Sequence, residues 1–588
     1  MNILYESKDL DPKITVENAK RFLKSINCNP TYECKKNLSG TYSATLDGSK
    51  WGLTSFGKGI TPELCEASAY GEFIERLQNL NHGLYFNVLN TEEINNRAYQ
   101  NWPDEKQSLL YNTLIKNPEI TNAFCEMFKF SNNYNITPSI LEITNIVSTI
   151  IDSPVCHEVP YYEIFSHKKR YFPLEVLSVL IGTTGECAGN TPEEALVQGL
   201  SEVLERFAES TVIKNKLTPP EIPLSYIKSI EPEIYNLIET FLINTNNRFN
   251  IKFYDMSFEK GIPVISTIIF DKKYPRYRMQ SGSHPLFKIA LERCLTELEQ
   301  ELFLMDDSYI ESNFINWDIS SSTLSDKVDN IASQSIGGNG AVPNEWFFSK
   351  PSWKFTPWKT FDIFNNKIAL TYLLDIFKES NLPVYIRDTT LSELYTFLIY
   401  VPNISQFYIN IKDSFLYADM YLWAQKLDVE WENCLYDEKL RLLDYIKNFG
   451  YKILGPVYAD ISQCYLATAI ALELGDLDGA LYFISQGFQD NRQTQLIKKE
   501  IELRIQGIPE KERDDCLLKF FSNEEINILY NIWRKEGIIY SLYGQDTTDL
   551  DDTSLDATML STTNKLLFDK ISETFCKDKE YEYLSWIN

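Results

Sequence analysis

The stretch Thr61–Arg76, TPELCEASAYGEFIER, recurs 130 positions later as Thr191–Arg206, TPEEALVQGLSEVLER. Both copies open with Thr-Pro-Glu, in which the threonine can cap a helix, the proline fits its first turn, and the glutamate complements the helix dipole. In the second copy Thr191 and Glu194 also match a capping box. Each copy is therefore predicted to form a capped helix whose second half carries Glu-x-x-Glu-Arg.

Helical spacing places the polar residues of each copy on one face. These residues are Ser68, Glu72 and Glu75 in the first copy, and Glu194, Gln198, Glu202 and Glu205 in the second. A third predicted helix, from about Leu286 to Leu304, carries Glu292-Arg293, Glu297 and Gln300. Three helices thus each present carboxylates with an adjacent arginine.

Converging carboxylates repel one another, and hard divalent cations offset that repulsion. Mg²⁺ typically takes one or two carboxylates together with phosphate oxygens, while neighbouring arginines can hold phosphates bidentately. The pattern therefore predicts a Mg²⁺-bridged polyphosphate site without a P-loop. The alternative is that these residues form solvated faces of amphipathic helices joined by i,i+4 ion pairs. The motif recurs with identical spacing, and a third helix carries similar residues. Both observations favour the metal site over solvated helix faces.

Composition limits the classes of function. The chain has 588 residues, of which 44% are hydrophobic and 13% aromatic, so we expect two or more folded domains. The 56 basic and 82 acidic residues give a net charge of −26. This charge argues against a nucleic-acid partner or an anionic membrane surface, although it does not exclude one local anion site.

Cysteines and apolar runs indicate the compartment. The 11 cysteines are dispersed without a CxxC pair, which is typical of reduced thiols, and the four histidines are too scattered for a His-built metal site. The apolar stretch Ile3–Tyr5 is too short for a signal peptide, and no apolar run approaches the roughly 20 residues of a membrane span. We expect a cytoplasmic protein without a membrane partner.

Residues 1–410 mix strand and helix signals and indicate an α+β body. Its predicted parts include an opening helix at 15–26, a hairpin at 42–55 with an Asp47-Gly48 turn, and a probable insertion at 85–160. Residues 411–588 are predicted to form an all-α domain with one tetratricopeptide (TPR)-like hairpin around Gly475-Asp476. Within it, residues 545–556 read as an acidic linker.

Other candidate sites are weaker. Gly57-Lys58-Gly59 is neither a Walker A nor a Rossmann fingerprint and is interpreted as a tight turn feeding the following helix. Gly337–Gly340 lacks the context of a phosphate loop. No spacing supports a Ser/His/Asp arrangement or an activated cysteine, so no covalent nucleophile is predicted.

The motifs together resemble the YcaO family over most of the chain. They stand here as Ser68-x-x-x-Glu72-x-x-Glu75-Arg76, as Asn190-Thr191-x-x-Glu194 continuing to Glu205-Arg206, and as Gly282-x-His284-Pro285 followed by Glu292-Arg293 and Glu297. The resemblance implies a YcaO-type ATP-binding domain with pseudo-repeated helix/strand halves, and the cofactors ATP and Mg²⁺. It implies Mg²⁺ ligands at Glu72, Glu75, Glu202 and Glu205. It implies nucleotide contacts at Lys8, Asn18, Ser68, Arg76, Asn190, Glu194, Gln198, Arg206, Arg293 and Glu297.

The same resemblance implies an activity. Family members phosphorylate the oxygen of a peptide backbone amide after a nucleophile adds to the carbonyl, giving azolines, amidines or thioamides with ADP and phosphate. Azoline-forming members end in a Pro-rich tail, whereas this sequence ends Tyr583–Asn588 without one. This difference favours the stand-alone group with a C-terminal helical domain, which resembles accessory factors for ribosomal-protein methylthiolation.

Two functions therefore stay open. One is an ATP-dependent enzyme acting on a peptide or protein substrate. The other is an ATP-binding accessory protein whose C-terminal domain recruits a partner protein. Because a lone TPR-like hairpin leaves one face open, residues beyond about 410 are also predicted to mediate a homodimer.

Overall fold

The structure, a computed structural model, describes most of the first 406 residues and two later stretches. The described ranges are 7–79, 102–131, 139–151, 153–300, 314–316, 342–343, 345–362, 364–406, 475–486 and 492–527, with single positions at 468, 471, 472, 566, 570, 584 and 587. The chain divides into two compact units. The first comprises 1–137, 155–409 and 553–588, and the second comprises 138–154 and 410–552.

Three antiparallel sheets organise the first unit. The first has the order β1-β2-β3, the second β12-β11-β10-β9-β8, and the third β4-β5-β13-β14-β7 with β6 also paired to β5. The strands are β1 Thr31–Lys36, β2 Tyr42–Gly48, β3 Leu53–Gly59, β4 Lys106–Leu109, β5 Val155–Glu163, β6 Lys168–Pro173, β7 Glu186–Gly189, β8 Glu221–Ile222, β9 Phe249–Asp255, β10 Val264–Asp271, β11 Arg276–Ser283, β12 Ile315–Asn316, β13 Tyr385–Asp388 and β14 Tyr395–Tyr400.

Helices pack against these sheets. In the first unit they are α1 Pro12–Ser25, α2 Pro62–Gln78, α3 Leu110–Lys116, α4 Pro118–Ser131, α6 Leu174–Ile181, α7 Pro192–Asn215, α8 Leu224–Ile230, α9 Pro232–Asn244, α10 Phe287–Gln300, α11 Glu345–Phe348 and α12 Asn366–Glu379. The described helices of the second unit are α5 Ile140–Ile150, α13 Leu477–Gln486, α14 Arg492–Ile505 and α15 Glu510–Leu517. The mixture of helices and antiparallel sheets confirms the α+β class.

The five-stranded sheet is buried on both faces. On one face Phe253 and Ile265 pack with the apolar sides of α8, α9 and α10. On the other, Ile268 and Met279 lie in a cluster with Leu200 of α7 and Leu373 of α12. Because α7 and α10 are both held against this sheet, their polar faces have fixed positions.

Three strands each lead into a polar helix through the same tight connection. The pairs are β3–α2, β7–α7 and β11–α10, and each connection reads Gly-x-x-Pro, at 59–62, 189–192 and 282–285. A Cβ on the glycine would lie 2.7 Å from Cys65 N at Gly59, 2.9 Å from Ala195 Cα at Gly189, and 2.7 Å from Cys294 N at Gly282. Only glycine allows each helix to approach its strand so closely.

The hairpin and the opening helix differ in detail from their predictions. α1 begins at Pro12 rather than 15, because Asp11 caps it by accepting a hydrogen bond from Lys13 N. β2 and β3 pair as predicted, but a 3₁₀ turn at Ser49–Trp51 follows Asp47-Gly48, so the connection is longer than a two-residue turn. Gly57-Lys58-Gly59 belongs to β3 and is therefore not a turn.

Part of the predicted insertion belongs to a sheet of the first unit. Within 85–160, β4 pairs with residues 155–158 of β5, whose last two residues, 162 and 163, pair with β13. Arg387 of β13 is almost fully buried and binds Asp104 with two hydrogen bonds of 2.8 and 3.0 Å. These contacts attach the described start of this segment to the sheet.

The residues after 410 do not all belong to one unit. Residues 553–588 group with the first unit, and Leu584 and Ile587 are buried in its larger apolar cluster, whereas the prediction placed them in a helical domain spanning 411–588. In the second unit α13 packs on α14 and α14 on α15. The first helix of the predicted TPR-like hairpin is described at only three positions, so the hairpin stays a prediction. The predicted linker at 545–556 lies outside the described residues.

Candidate functional site

A cavity of about 500 Å³ lies between α2, α7 and α10 in the first unit. Seven glutamates and six lysines or arginines line it, so its wall carries both charge signs at high density. It brings together thirteen of the fourteen residues predicted for the site, which are Lys8, Ser68, Glu72, Glu75, Arg76, Asn190, Glu194, Gln198, Glu202, Glu205, Arg206, Arg293 and Glu297.

One end of the cavity is built around the N-terminus of α7. Thr191 caps the helix by accepting a hydrogen bond from Glu194 N at 3.2 Å. The buried Glu194 carboxylate accepts hydrogen bonds from Asn190 Nδ2 at 3.0 and 3.1 Å, from Asp9 N at 3.0 Å, and from Lys8 Nζ at 3.3 Å. This network holds Lys8 and Asn190 side by side at the cavity wall.

Asn18 is the predicted residue that does not line the cavity, and Thr15 on the same helix does. Thr15 lies on the buried face of α1, and its hydroxyl donates to Asn190 Oδ1 at 2.8 Å. The buried residues of α1, which include Thr15, Val16 and Ala19, recur at helical spacing and define its inward face. The sequence signal for Thr15 was its position on the apolar side of a helix that begins at Pro12.

The repeated carboxylates of α2 and α7 meet in the middle of the cavity. Burial raises the pKa of Glu75 to about 8; Arg76 opposes this shift, and the nearby Glu202 carboxylate adds to it. Burial likewise raises the pKa of Glu202 to about 7, against the effect of Arg206. Gln198 Nε2 donates to Glu75 Oε2 at 3.4 Å and bridges the two helices. Removing water from two adjacent carboxylates leaves a place that favours a cation.

Arginines flank these carboxylates. Arg76 lies 3.4 Å from Glu72, and Arg206 lies 3.2 Å from Glu209 and 3.8 Å from Glu205. A second oxygen of Glu205 and Nε of Arg293 are buried without a hydrogen-bond partner in the described residues. An unpaired carboxylate oxygen and an unpaired guanidinium nitrogen in one cavity are suited to a cation and an anionic oxygen respectively.

Strands β3 and β11 supply cavity residues outside the predicted set of fourteen, although Lys58 had been named within the weaker Gly57-Lys58-Gly59 candidate. Lys58 forms an ion pair with Glu297; although burial alone would raise the pKa of Glu297, Lys58 and Arg293 lower it overall. Arg278 and Gln280 of β11 line the cavity, and β11 packs against α7 and α10. Both residues alternate with the apolar Tyr277 and Met279, which is the pattern that identifies one face of a strand. Without the strand's neighbours, that pattern does not show which face meets the site.

The donor set fits Mg²⁺ although the described residues contain no preformed metal cluster. Among the described residues, no three His, Cys, Asp or Glu side chains are grouped closely enough to hold a metal ion by themselves. Mg²⁺ keeps several waters and binds through one or two carboxylates together with substrate phosphates, so such a cluster is not required. The unpaired Glu205 oxygen and the raised pKa of Glu75 are consistent with a cation completed by a phosphate.

Residues 56–405 match a family model described as YcaO cyclodehydratase, ATP- and Mg²⁺-binding, and the chain belongs to the YcaO family. The expected cofactors, ATP and Mg²⁺, agree with that description.

Two curated relatives are similar over roughly three fifths of the chain. An uncharacterized protein of Haemophilus influenzae is 28% identical over 392 residues, which are 65% of this chain and 61% of that protein. The ribosomal protein S12 methylthiotransferase accessory factor YcaO of Escherichia coli is 29% identical over 356 residues, 60% of this chain and 57% of that protein. The matched region thus covers about three fifths of each relative's length.

Solved structures show a more distant likeness. A heterocyclase in complex with substrate and cofactor has a TM-score of 0.45 at 18% identity, covering 68% of this chain and 53% of that one. YcaO from Methanopyrus kandleri bound with AMPPCP and Mg²⁺ has a TM-score of 0.41 at 18% identity, covering 68% and 94%. Within the described part of this chain, no helix combines the length and apolarity that crossing a membrane requires.

Proposed function

We propose that the cavity binds Mg²⁺-ATP and that the chain uses it to activate a peptide backbone amide. The observation that carries the proposal is the convergence of thirteen predicted residues, from the N-terminal segment, two repeated helices and a third helix, on one cavity. Glu72, Glu75, Glu202 and Glu205 would hold Mg²⁺. The phosphate oxygens would be contacted by Arg76, Arg206 and Arg293. The remainder of the nucleotide would be contacted by Lys8, Asn190 and Glu194.

The proposed reaction needs no covalent nucleophile from the protein. A nucleophile adds to the amide carbonyl carbon, and the resulting oxyanion attacks the γ-phosphorus, breaking its bond to the oxygen that leaves with ADP. The amide oxygen then departs with the phosphate. Bound Mg²⁺ neutralises negative charge on the phosphates during this transfer. The arginines supply further positive charge beside carboxylates that are themselves buried.

An isotope experiment tests this reaction. The chain, Mg²⁺-ATP and an acceptor are incubated in H₂¹⁸O, and the released phosphate is analysed by mass spectrometry. Simple ATP hydrolysis places ¹⁸O from water in the phosphate, whereas amide O-phosphorylation transfers the unlabelled amide oxygen. Unlabelled phosphate formed only with acceptor supports the proposal. AMP and pyrophosphate as the main products would contradict it, because they indicate adenylation.

The second candidate is an ATP-binding accessory factor for ribosomal-protein methylthiolation. The observation that favours it is the similarity to the Escherichia coli relative, which is named as such an accessory factor. In this case residues beyond 410 would recruit a partner protein, and the chain would not modify the acceptor itself. With ribosomal protein S12 as acceptor, a mass shift produced by the chain and ATP alone supports the enzyme. Unchanged acceptor mass together with ATP-dependent partner binding supports the accessory role.

A further inference from the structure

His284 faces the cavity but has no part in the assignments above. It lies in the Gly-x-x-Pro connection between β11 and α10, and its side chain is only 6% exposed. It lines the same cavity as Lys8 and Arg293. Within the described residues its one polar contact is with Leu286 N, which donates to His284 Nδ1 at 3.0 Å.

That contact determines the tautomer of the ring. A backbone N–H can only donate, so Nδ1 must be the unprotonated nitrogen and Nε2 must carry the hydrogen. The ring also stays uncharged, because burial, with Arg293 and Lys8 beside it, lowers its pKa to about 3. The Nε2–H has no acceptor among the described residues, although the ring is more than nine-tenths buried. A donor in this state points to a ligand that is absent from the protein alone.

We infer that His284 is a further ligand-binding residue of this site and that its Nε2–H donates to an acceptor atom of the bound nucleotide. This inference rests on the proposed nucleotide site. Lys8 and Arg293, which face the same ring, both belong to the set that would contact the nucleotide. A neutral donor near these cations adds a directed hydrogen bond without adding charge. The acceptor is an oxygen or nitrogen lone pair, in the phosphate chain or in the nucleoside.

Two substitutions separate ligand binding from a structural role. His284→Asn retains an oxygen near the Nδ1 position for Leu286 N–H and removes the distal donor. His284→Gln places an N–H near the Nε2 position and weakens the contact with Leu286. A ligand-binding role therefore predicts weaker binding in the Asn variant and partial recovery in the Gln variant. A merely structural role predicts the reverse order. His167→Asn, at an exposed left-handed position outside the cavity, is the matched control.

Calorimetry with Mg²⁺ and β,γ-methylene-ATP gives the readout. We expect the Kd to rise roughly fivefold to twentyfold in His284→Asn, as for the loss of one hydrogen bond, with no change in His167→Asn. Mg²⁺-tripolyphosphate identifies the acceptor: weakened binding of both ligands indicates a phosphate oxygen, and weakened binding of the nucleotide analogue alone indicates the nucleoside. Wild-type affinity for the analogue in His284→Asn would overturn the inference. Failure of the wild-type chain to bind either ligand would instead overturn the proposed site.

Discussion

Binding of Mg²⁺-nucleotide should release protons, because Glu75 and Glu202 hold them in the free protein. With pKa values of about 8 and about 7, the two groups together carry roughly 1.4 protons at pH 7, by the ordinary titration relation. Only the ionised carboxylates can bind Mg²⁺, so these protons must leave when the ion binds. The two groups interact, so the count belongs to the pair rather than to either residue.

Isothermal titration calorimetry in phosphate and in Tris measures the number of protons released, because the two buffers differ in ionisation enthalpy. We expect between one and two protons at pH 7, close to none at pH 9, and an affinity that rises with pH between 6 and 8. Glu75→Gln should leave at most about 0.5 proton to be released at pH 7, because only Glu202, with a pKa of about 7, remains protonated, and loss of a neighbouring carboxyl group does not raise its pKa. Equal enthalpies in the two buffers, with an affinity independent of pH from 6 to 8.5, would refute the reasoning.

The free energy of unfolding of the nucleotide-free protein should fall as pH rises, whereas the affinity for Mg²⁺-nucleotide should increase. The folded state keeps protons on Glu75 and Glu202 that the unfolded state, with an ordinary pKa near 4.5, has already lost. Since the folded state binds more protons, its stability falls as pH rises from about 5 to 8, by at most about 1.4 kcal/mol per pH unit for each group. Denaturant titrations at several pH values measure this fall, and saturating Mg²⁺-nucleotide should reduce it.

Three other predictions concern the site and the assembly. Glu205→Gln should weaken Mg²⁺-nucleotide binding at least tenfold in calorimetry while the melting temperature stays near that of the wild type, because an unpaired oxygen is replaced by an uncharged group; unchanged affinity would remove Glu205 from the metal ligands. Gly189→Ala should destabilise the protein by about 2 kcal/mol in denaturant titrations, because its Cβ would overlap the backbone of Ala195; a neutral effect would show that α7 can move. Light scattering of the full chain at micromolar concentration should give a dimer that requires residues beyond 410, and a monomeric mass would leave partner recruitment as the better role for that region.

The repeated helices could be predicted because the residues that begin each helix and the glutamates that it carries lie within one short sequence window. Thr61-Pro62 and Thr191-Pro192 mark the helix starts, and the glutamates follow at fixed spacing on one face. The strand residues could not be assigned in the same way. Lys58 and Arg278 face the cavity because of the sheet and helix that surround their strands, and no short sequence window contains that information.

Asn18 entered the predicted set through the family resemblance and not through helix spacing. In the structure Thr15 of the same helix lines the cavity, whereas Asn18 does not. The sequence also contains a signal for the third strand–helix pair, β11–α10. Gly282 and Pro285 have the same spacing as Gly59 and Pro62, and as Gly189 and Pro192. Comparison of all three connections would have placed β11 and α10 in the same arrangement as the two earlier pairs.

The three Gly-x-x-Pro connections fix the position of each helix independently of the polar side chains that the helix carries. Backbone contact fixes how far each helix stands from its strand, and this distance does not depend on the polar residues that the helix carries. In α2 and α7 the carboxylates follow the connecting proline at equal intervals, whereas Glu292 and Glu297 of α10 lie at other intervals after Pro285. The polar residues of α10 can therefore occupy other positions along the helix while the helix itself stays in place. Such a change does not disturb α2 or α7. Ligand preference in this architecture can thus vary one helix at a time.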